Sequence, residues 1–117
     1  MPELDGKVAI VTGAGRLRGI GRASAVALAR LGADLVLTGT GRYPDTFPPG
    51  EKEVGWKDVE SSAEQVRAEG RRAITVIADV SDGEQVQTIV DRALEEFGRI
   101  DILVNNAAYP RANDRVP

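Results

Sequence analysis

The join near the start of this chain constrains its fold more than any other feature. A short apolar, β-branched run, Lys7-Val-Ala-Ile-Val-Thr12, passes directly into Thr12-Gly-Ala-Gly-Arg-Leu-Arg-Gly-Ile-Gly21 and then into helical periodicity. A strand that turns through glycines into a helix gathers backbone N–H groups and the positive helix end at one point, which makes an anion site. Gly15, Gly19 and Gly21 supply a turn without side chains, a place where backbone can touch a phosphate, and close packing of helix on strand. No Gly-Lys-Ser/Thr follows these glycines, so the phosphate loop of the NTPases is excluded.

The rest of the chain alternates in the same way. Helical spacing puts Ile20, Ala23, Ala27, Leu28 and Leu31 on one face, and Gly32 closes that helix. Asp34-Leu-Val-Leu-Thr38 reads as a second buried strand. The stretch 39–57 that follows is polar, with three prolines and four glycines, and reads as a long loop insertion of the kind that is usually functional. A helix through Val59, Ala63 and Val66 ends near Gly70, and residues 73–78 form a third strand. Ser81 and Glu84 read as a capping box. The helix it opens carries Val86, Ile89, Val90, Ala93, Leu94 and Phe97 on one stripe, stops at Gly98, and leads into a fourth strand over 100–105. Strands alternating with helices imply right-handed crossovers and a parallel sheet covered on both faces. The expected fold class is α/β: a Rossmann-type doubly wound sheet, first half, β-α-β-α-β-α-β, in order 3-2-1-4 by analogy with doubly wound folds, with 1–117 the N-terminal part of a single domain. It is expected to be incomplete as given, because the fourth strand is apolar on both faces and no later strand pairs with its outer edge.

Composition removes whole classes of function. Fifteen Lys and Arg against eighteen Asp and Glu give a net charge of -3, with no basic excess to displace counterions from a nucleic acid. Without Cys or His the chain has no disulfide, thiol nucleophile, imidazole base or usual zinc-ligand set, and no metal site is expected. The N-terminus is acidic where a secretion signal is basic, and no apolar run nears the roughly 20 residues that cross a bilayer. The expectation is a cytoplasmic protein without nucleic-acid or membrane partners.

Thr12-Gly13 with Gly19-Ile-Gly21, Asp79-Val80 after the third strand and Asn105-Asn-Ala-Ala108 after the fourth resemble the short-chain dehydrogenase/reductase family over nearly the whole chain. There are two departures. The family's Thr-Gly-x-x-x-Gly-x-Gly is two residues longer here between Gly13 and Gly19, and Ala108 stands where Asn-Asn-Ala-Gly ends in glycine. The resemblance implies an NAD(P)-binding half in which Gly13, Gly15, Gly19, Ile20 and Gly21 hold the diphosphate. Asp79 and Val80 then meet the adenine, and Asn106 and Ala107 lie along the ribose and nicotinamide end. Taken singly, Asp79 equally suits a turn that satisfies backbone donors, and Asn105-Asn106 an ordinary strand end. Their place at the C-terminal ends of parallel strands, where open α/β sheets bind ligands, favours the binding role.

Charge argues the choice of nucleotide. An NAD site places Asp or Glu at the end of strand two, and Thr38-Gly-Thr-Gly-Arg42 has neither. Arg18, Thr40 and Arg42 suit a 2′-phosphate instead, each charge-assisted contact being worth about 1.5 to 3 kcal/mol. NADP(H) is therefore expected over NAD(H). Two alternatives stand beside this: solvated surface arginines, and Asp45 bending to the ribose for NAD(H).

The reaction the resemblance implies is hydride transfer between nicotinamide and a small carbonyl or alcohol substrate, using a Tyr acid/base, a Lys and a Ser. Neither Tyr43 nor Tyr109 has a Lys four residues on, since Phe47 and Asn113 stand there. No catalytic residue is thus expected in this chain, which should be inactive alone and a homo-oligomer when complete. Within the class, a 3-oxoacyl-carrier-protein reductase also fits, and outside it a non-catalytic NADP(H)-binding module. A response-regulator receiver with Asp79 as phosphoacceptor is disfavoured, because Thr12-Gly13 occupies the place of its acidic pair. Trp56 is expected to pack on the sheet margin, with contact to cofactor or substrate as the lesser alternative.

Overall fold

The computed structural model describes residues 3–106. Four strands, β1 (Val8–Val11), β2 (Asp34–Gly39), β3 (Ala73–Ile77) and β4 (Ile102–Val104), form one sheet in the order β3-β2-β1-β4. Every pairing is parallel, with Val8 opposite Asp34, Ala9 opposite Ile102 and Leu35 opposite Ala73. This is the expected topology. Every residue of β1, and Leu35 to Thr38 of β2, is buried, as strands covered on both faces must be.

Helices α1 (Ile20–Arg30) and α3 (Val59–Ala68) cover one face, and α4 (Gly83–Phe97) covers the other. Side chains alternate across the strands. Ala9, Val11, Leu35 and Leu37 therefore pack with Ala25, Ala29, Ala63 and Val66, while Val8, Ile10 and Val36 pack with Ile89 and Ala93.

The structure corrects three local expectations. The buried stripe of α1 is Gly21, Ala25, Val26 and Ala29, whereas Ile20 is 74% exposed and Leu31 also faces outward. Small residues at i, i+4 and i+8 let the helix axis approach the sheet, and that close approach outweighs burial of the larger side chains. The cap of α4 is Asp82, whose Oδ1 accepts from the amides of Glu84 (2.9 Å) and Gln85 (3.4 Å); Ser81 is instead held by Asp79. Finally, the stretch after β2 is partly ordered. A 3-10 turn at Pro44–Thr46 and a short helix α2 (Pro49–Glu53) each start at a proline, whose fixed φ suits a first helical turn. Phe47, Glu51 and Trp56 of this segment are buried.

At the other side of the sheet, β4 is only three residues long and Leu103 is 64% exposed. Among the described residues nothing pairs with its outer edge.

Candidate functional site

The glycine-rich turn stands where β1 passes into α1, beside the end of β4. Gly13 takes φ +65°, a conformation that costs glycine least. The Asn106 amide donates to Thr12 Oγ1 (3.0 Å) and its Nδ2 donates to the Gly13 carbonyl oxygen (3.1 Å). The Thr12 amide donates to the Val104 carbonyl (3.0 Å), and that of Ala14 to the Thr38 carbonyl (2.9 Å). These bonds lock the start of the turn to the ends of β4 and β2. A Cβ at Gly21 would lie 2.9 Å from Asn106 Nδ2 and run into the Gly13 carbonyl oxygen. Helix, turn and strand end thus meet with room for hydrogen only, which is the close packing the glycine spacing predicts.

The extra length of the turn, between Gly13 and Gly19, is held from the other side by the segment after β2. Trp56 Nε1 donates to the Gly15 carbonyl oxygen (2.6 Å), and Arg42 Nη2 donates to the same oxygen (2.9 Å). The Leu17 amide donates to Glu51 Oε2 (2.9 Å), and Ser62 Oγ on α3 donates to the Ala14 carbonyl oxygen. Arg42 also binds Asp58 Oδ1 through Nε (2.9 Å) and Nη2 (2.8 Å). Its Nη1 lies 3.0 Å from Glu51 Oε1 as an ion pair without hydrogen-bond alignment, and its guanidinium stacks 4.7 Å from the Phe47 ring centre. Asp58 holds φ +57°, a strained conformation costing about 1 to 3 kcal/mol that the Arg42 fork stabilises. Gly15 leaves room for the Asp58 carboxylate, which a Cβ there would displace from its bonds to Arg42.

The other residues singled out in the sequence fall as follows. Arg18 and Thr40 are exposed, and Gly19 is the N-cap of α1. Arg42 is turned inward: its donors go to Gly15, Glu51 and Asp58, so the guanidinium expected at a 2′-phosphate is already engaged by two carboxylates. Asp79 Oδ1 accepts from the hydroxyl (2.7 Å) and amide (2.9 Å) of Ser81, and these bonds hold its carboxyl below the ordinary carboxylate value. Val80 is half-buried against the core on the α4 side. Tyr43 is 78% exposed, and Ala107, Ala108 and Tyr109 lie outside the described residues.

Sequence reasoning missed Glu51, Asp58 and Ser62, and gave Trp56 a margin-packing role. The signal was present as two irregularities in one chain, a turn two residues too long and a long segment after β2. Arg16 was also missed. With Arg18 it lines a cleft of about 280 Å³ bounded by Leu17, Pro48, Gly50 and Glu51.

A parallel sheet in this order, with a glycine-built turn packed against the end of β4, defines the class of open α/β nucleotide-binding folds. Residues 13–116 match the family model described as enoyl-(acyl carrier protein) reductase. Versicolorin reductase stcU of Emericella nidulans is 42% identical over 105 residues, spanning 90% of this chain and 34% of that protein. A short-chain dehydrogenase from Mycobacterium thermoresistibile superposes with a TM-score of 0.77 at 30% identity, covering 97% of this chain and 38% of the other. One from Mycobacterium paratuberculosis, solved bound to NAD, gives 0.72 at 32% identity, covering 98% and 42%. The chain belongs to the short-chain dehydrogenase/reductase family. It spans about a third of the length of the curated relatives it matches. Among the described residues no helix is long and apolar enough to cross a membrane.

Proposed function

We propose that these residues form the nucleotide-binding part of an NADP(H)-dependent oxidoreductase acting on a small carbonyl or alcohol. The observation that carries the reading is the contact of Gly21 with Gly13 and Asn106, which seats the glycine-rich turn at the C-terminal edge of the sheet. The residues fit a dinucleotide. The amides of Ile20 and Gly21 open α1 and have no intrahelical acceptor, as at any helix start, so they face a diphosphate with the helix dipole behind them. Asp79 Oδ2 is without a partner among the described residues, and we assign it to the adenine amino group. Asn106 and Ala107 are assigned to the ribose and nicotinamide end. When bound, the nucleotide supplies a hydride donor or acceptor at its nicotinamide C4.

The NADP(H) preference rests on Arg18 and Thr40, joined by Arg16 in the cleft. Two exposed guanidinium groups outweigh the single unbalanced carboxylate left once Arg42 is shared between Glu51 and Asp58. Arg42 keeps a part in this site by shaping it. The NAD-bound relative keeps the other nucleotide in view, and the two affinities decide between them.

The test of the reaction is NADPH oxidation by a polypeptide of the relatives' length carrying these residues, with small aldehydes and ketones as substrates. Turnover is expected. Tight nucleotide binding with no turnover of any substrate would favour the non-catalytic binding module.

A further inference from the structure

The lengthened turn contains two successive carbonyl groups that are pulled inward. Ser62 holds the Ala14 oxygen, and Trp56 with Arg42 holds the Gly15 oxygen. Ser62 and Trp56 are both buried, and their bonds span 48 and 41 residues of sequence, so they are features of the tertiary fold rather than of the turn itself. A trans peptide unit is planar, and the N–H of each residue points opposite to the carbonyl before it. No cis bond occurs among the described residues. Fixing the Ala14 and Gly15 carbonyls inward therefore aims the N–H groups of Gly15 and Arg16 the other way, and neither amide has a partner among the described residues. Two successive unpaired N–H groups on the side away from Ser62 and Trp56, one on buried Gly15 and one on exposed Arg16, are donors that an anion can take.

We infer that Trp56 and Ser62, with Arg42, are positioning residues that aim the Gly15 and Arg16 amides at a phosphate oxygen of the nucleotide. The inference rests on the nucleotide reading above and deepens it. It also accounts for the two irregularities together. A turn with two additional residues has more freedom to place its amides wrongly, and the segment after β2 carries the side chains that remove that freedom. Glu51 accepts from the Leu17 amide and so withdraws that donor from the anion.

The experiment uses a polypeptide of the relatives' length carrying these residues, isotopically labelled for amide NMR and titrated with NADPH. In the native protein the Gly15 and Arg16 amide resonances are expected to move on saturation. Trp56→Phe deletes the indole donor and Ser62→Ala deletes one buried oxygen. Each is expected to weaken NADPH binding roughly tenfold, the worth of one hydrogen bond, while unfolding stays cooperative. Should Trp56→Phe fail to fold, Ser62→Ala carries the same reading with a smaller perturbation. Native affinity in the folded variants, or unmoved Gly15 and Arg16 resonances at saturation, overturns the inference and leaves the nucleotide reading standing. Absence of any binding of NADPH or NADH to the native polypeptide of that length overturns the nucleotide reading itself.

Discussion

The indole N–H of Trp56 donates to the carbonyl oxygen of Gly15 at 2.6 Å, joining the segment after β2 to the glycine-rich turn across 41 residues of sequence. That bond makes the two irregular parts of the chain one structural unit. The turn alone has the glycines to approach a phosphate, while the segment holds the turn in shape.

Replacing Arg42 and replacing Arg18 should have separable effects. Arg42→Ala leaves Glu51 and Asp58 as buried carboxylates without their cation, and a destabilisation of about 3 kcal/mol or more is expected in urea titrations. Arg18→Ala removes an exposed side chain and should leave stability within about 0.5 kcal/mol, while weakening NADPH binding tenfold or more. Equal stability of the two variants would mean that the inward geometry of Arg42 is wrong.

Gly21→Ala tests the packing of helix on strand end. Its Cβ would meet the Gly13 carbonyl oxygen and the Asn106 amide, so a loss of about 1 to 3 kcal/mol is expected together with loss of nucleotide binding. Gly83→Ala, where a Cβ meets nothing within 4 Å, is the control and should bind normally. A Gly21→Ala protein of native stability and affinity would refute the contact.

Much of this was legible in the sequence, and the reasons differ by element. The parallel sheet followed from alternation, because a parallel crossover needs a helix and Gly32, Gly70 and Gly98 punctuate each one, while the order 3-2-1-4 came by analogy with doubly wound folds. The face of α1 was misread because apolar size was weighed over close approach, and Ala25 and Ala29 sit against the sheet where Ile20 and Leu31 do not. Pairing of Arg42 with Asp58 was hidden for another reason. Residues 16 apart in a segment without periodicity give no spacing signal, and only folding brings them together. Asn106 was found by its motif, but its bond to the Gly13 carbonyl is tertiary and leaves no trace in local sequence.

Acid should destabilise the fold from a specific pair of carboxylates. Arg99 bonds to Asp101, and so does the Val8 amide (2.9 Å), holding the Asp101 carboxyl below its ordinary value of 3.8; Ser81 does the same for Asp79. A depressed folded-state pKa means that the stabilisation is fully present above 3.8 and is lost as pH falls through the lower folded value. The melting temperature should therefore be flat between about pH 5 and 8 and drop below about 4, with a shallower drop in Asp101→Asn. An Asp101→Asn variant whose acid limb matches the native protein would show that this carboxylate does not govern it.

The sheet edges predict association. Leu103 on β4 and Ile77 on β3, the latter 58% exposed, flank backbone that has no strand partner among the described residues. These 117 residues expressed alone should self-associate in sedimentation experiments, whereas a monodisperse monomer melting cooperatively would contradict this.

Calorimetry of NADPH and NADH against a polypeptide of the relatives' length carrying these residues, with crystals soaked in the tighter nucleotide, tests the central claim most directly. The account predicts measurable affinity, tighter for NADPH, and diphosphate density against Gly15, Ile20 and Gly21. Heat signals of neither nucleotide, or density that leaves this turn bare, would contradict it.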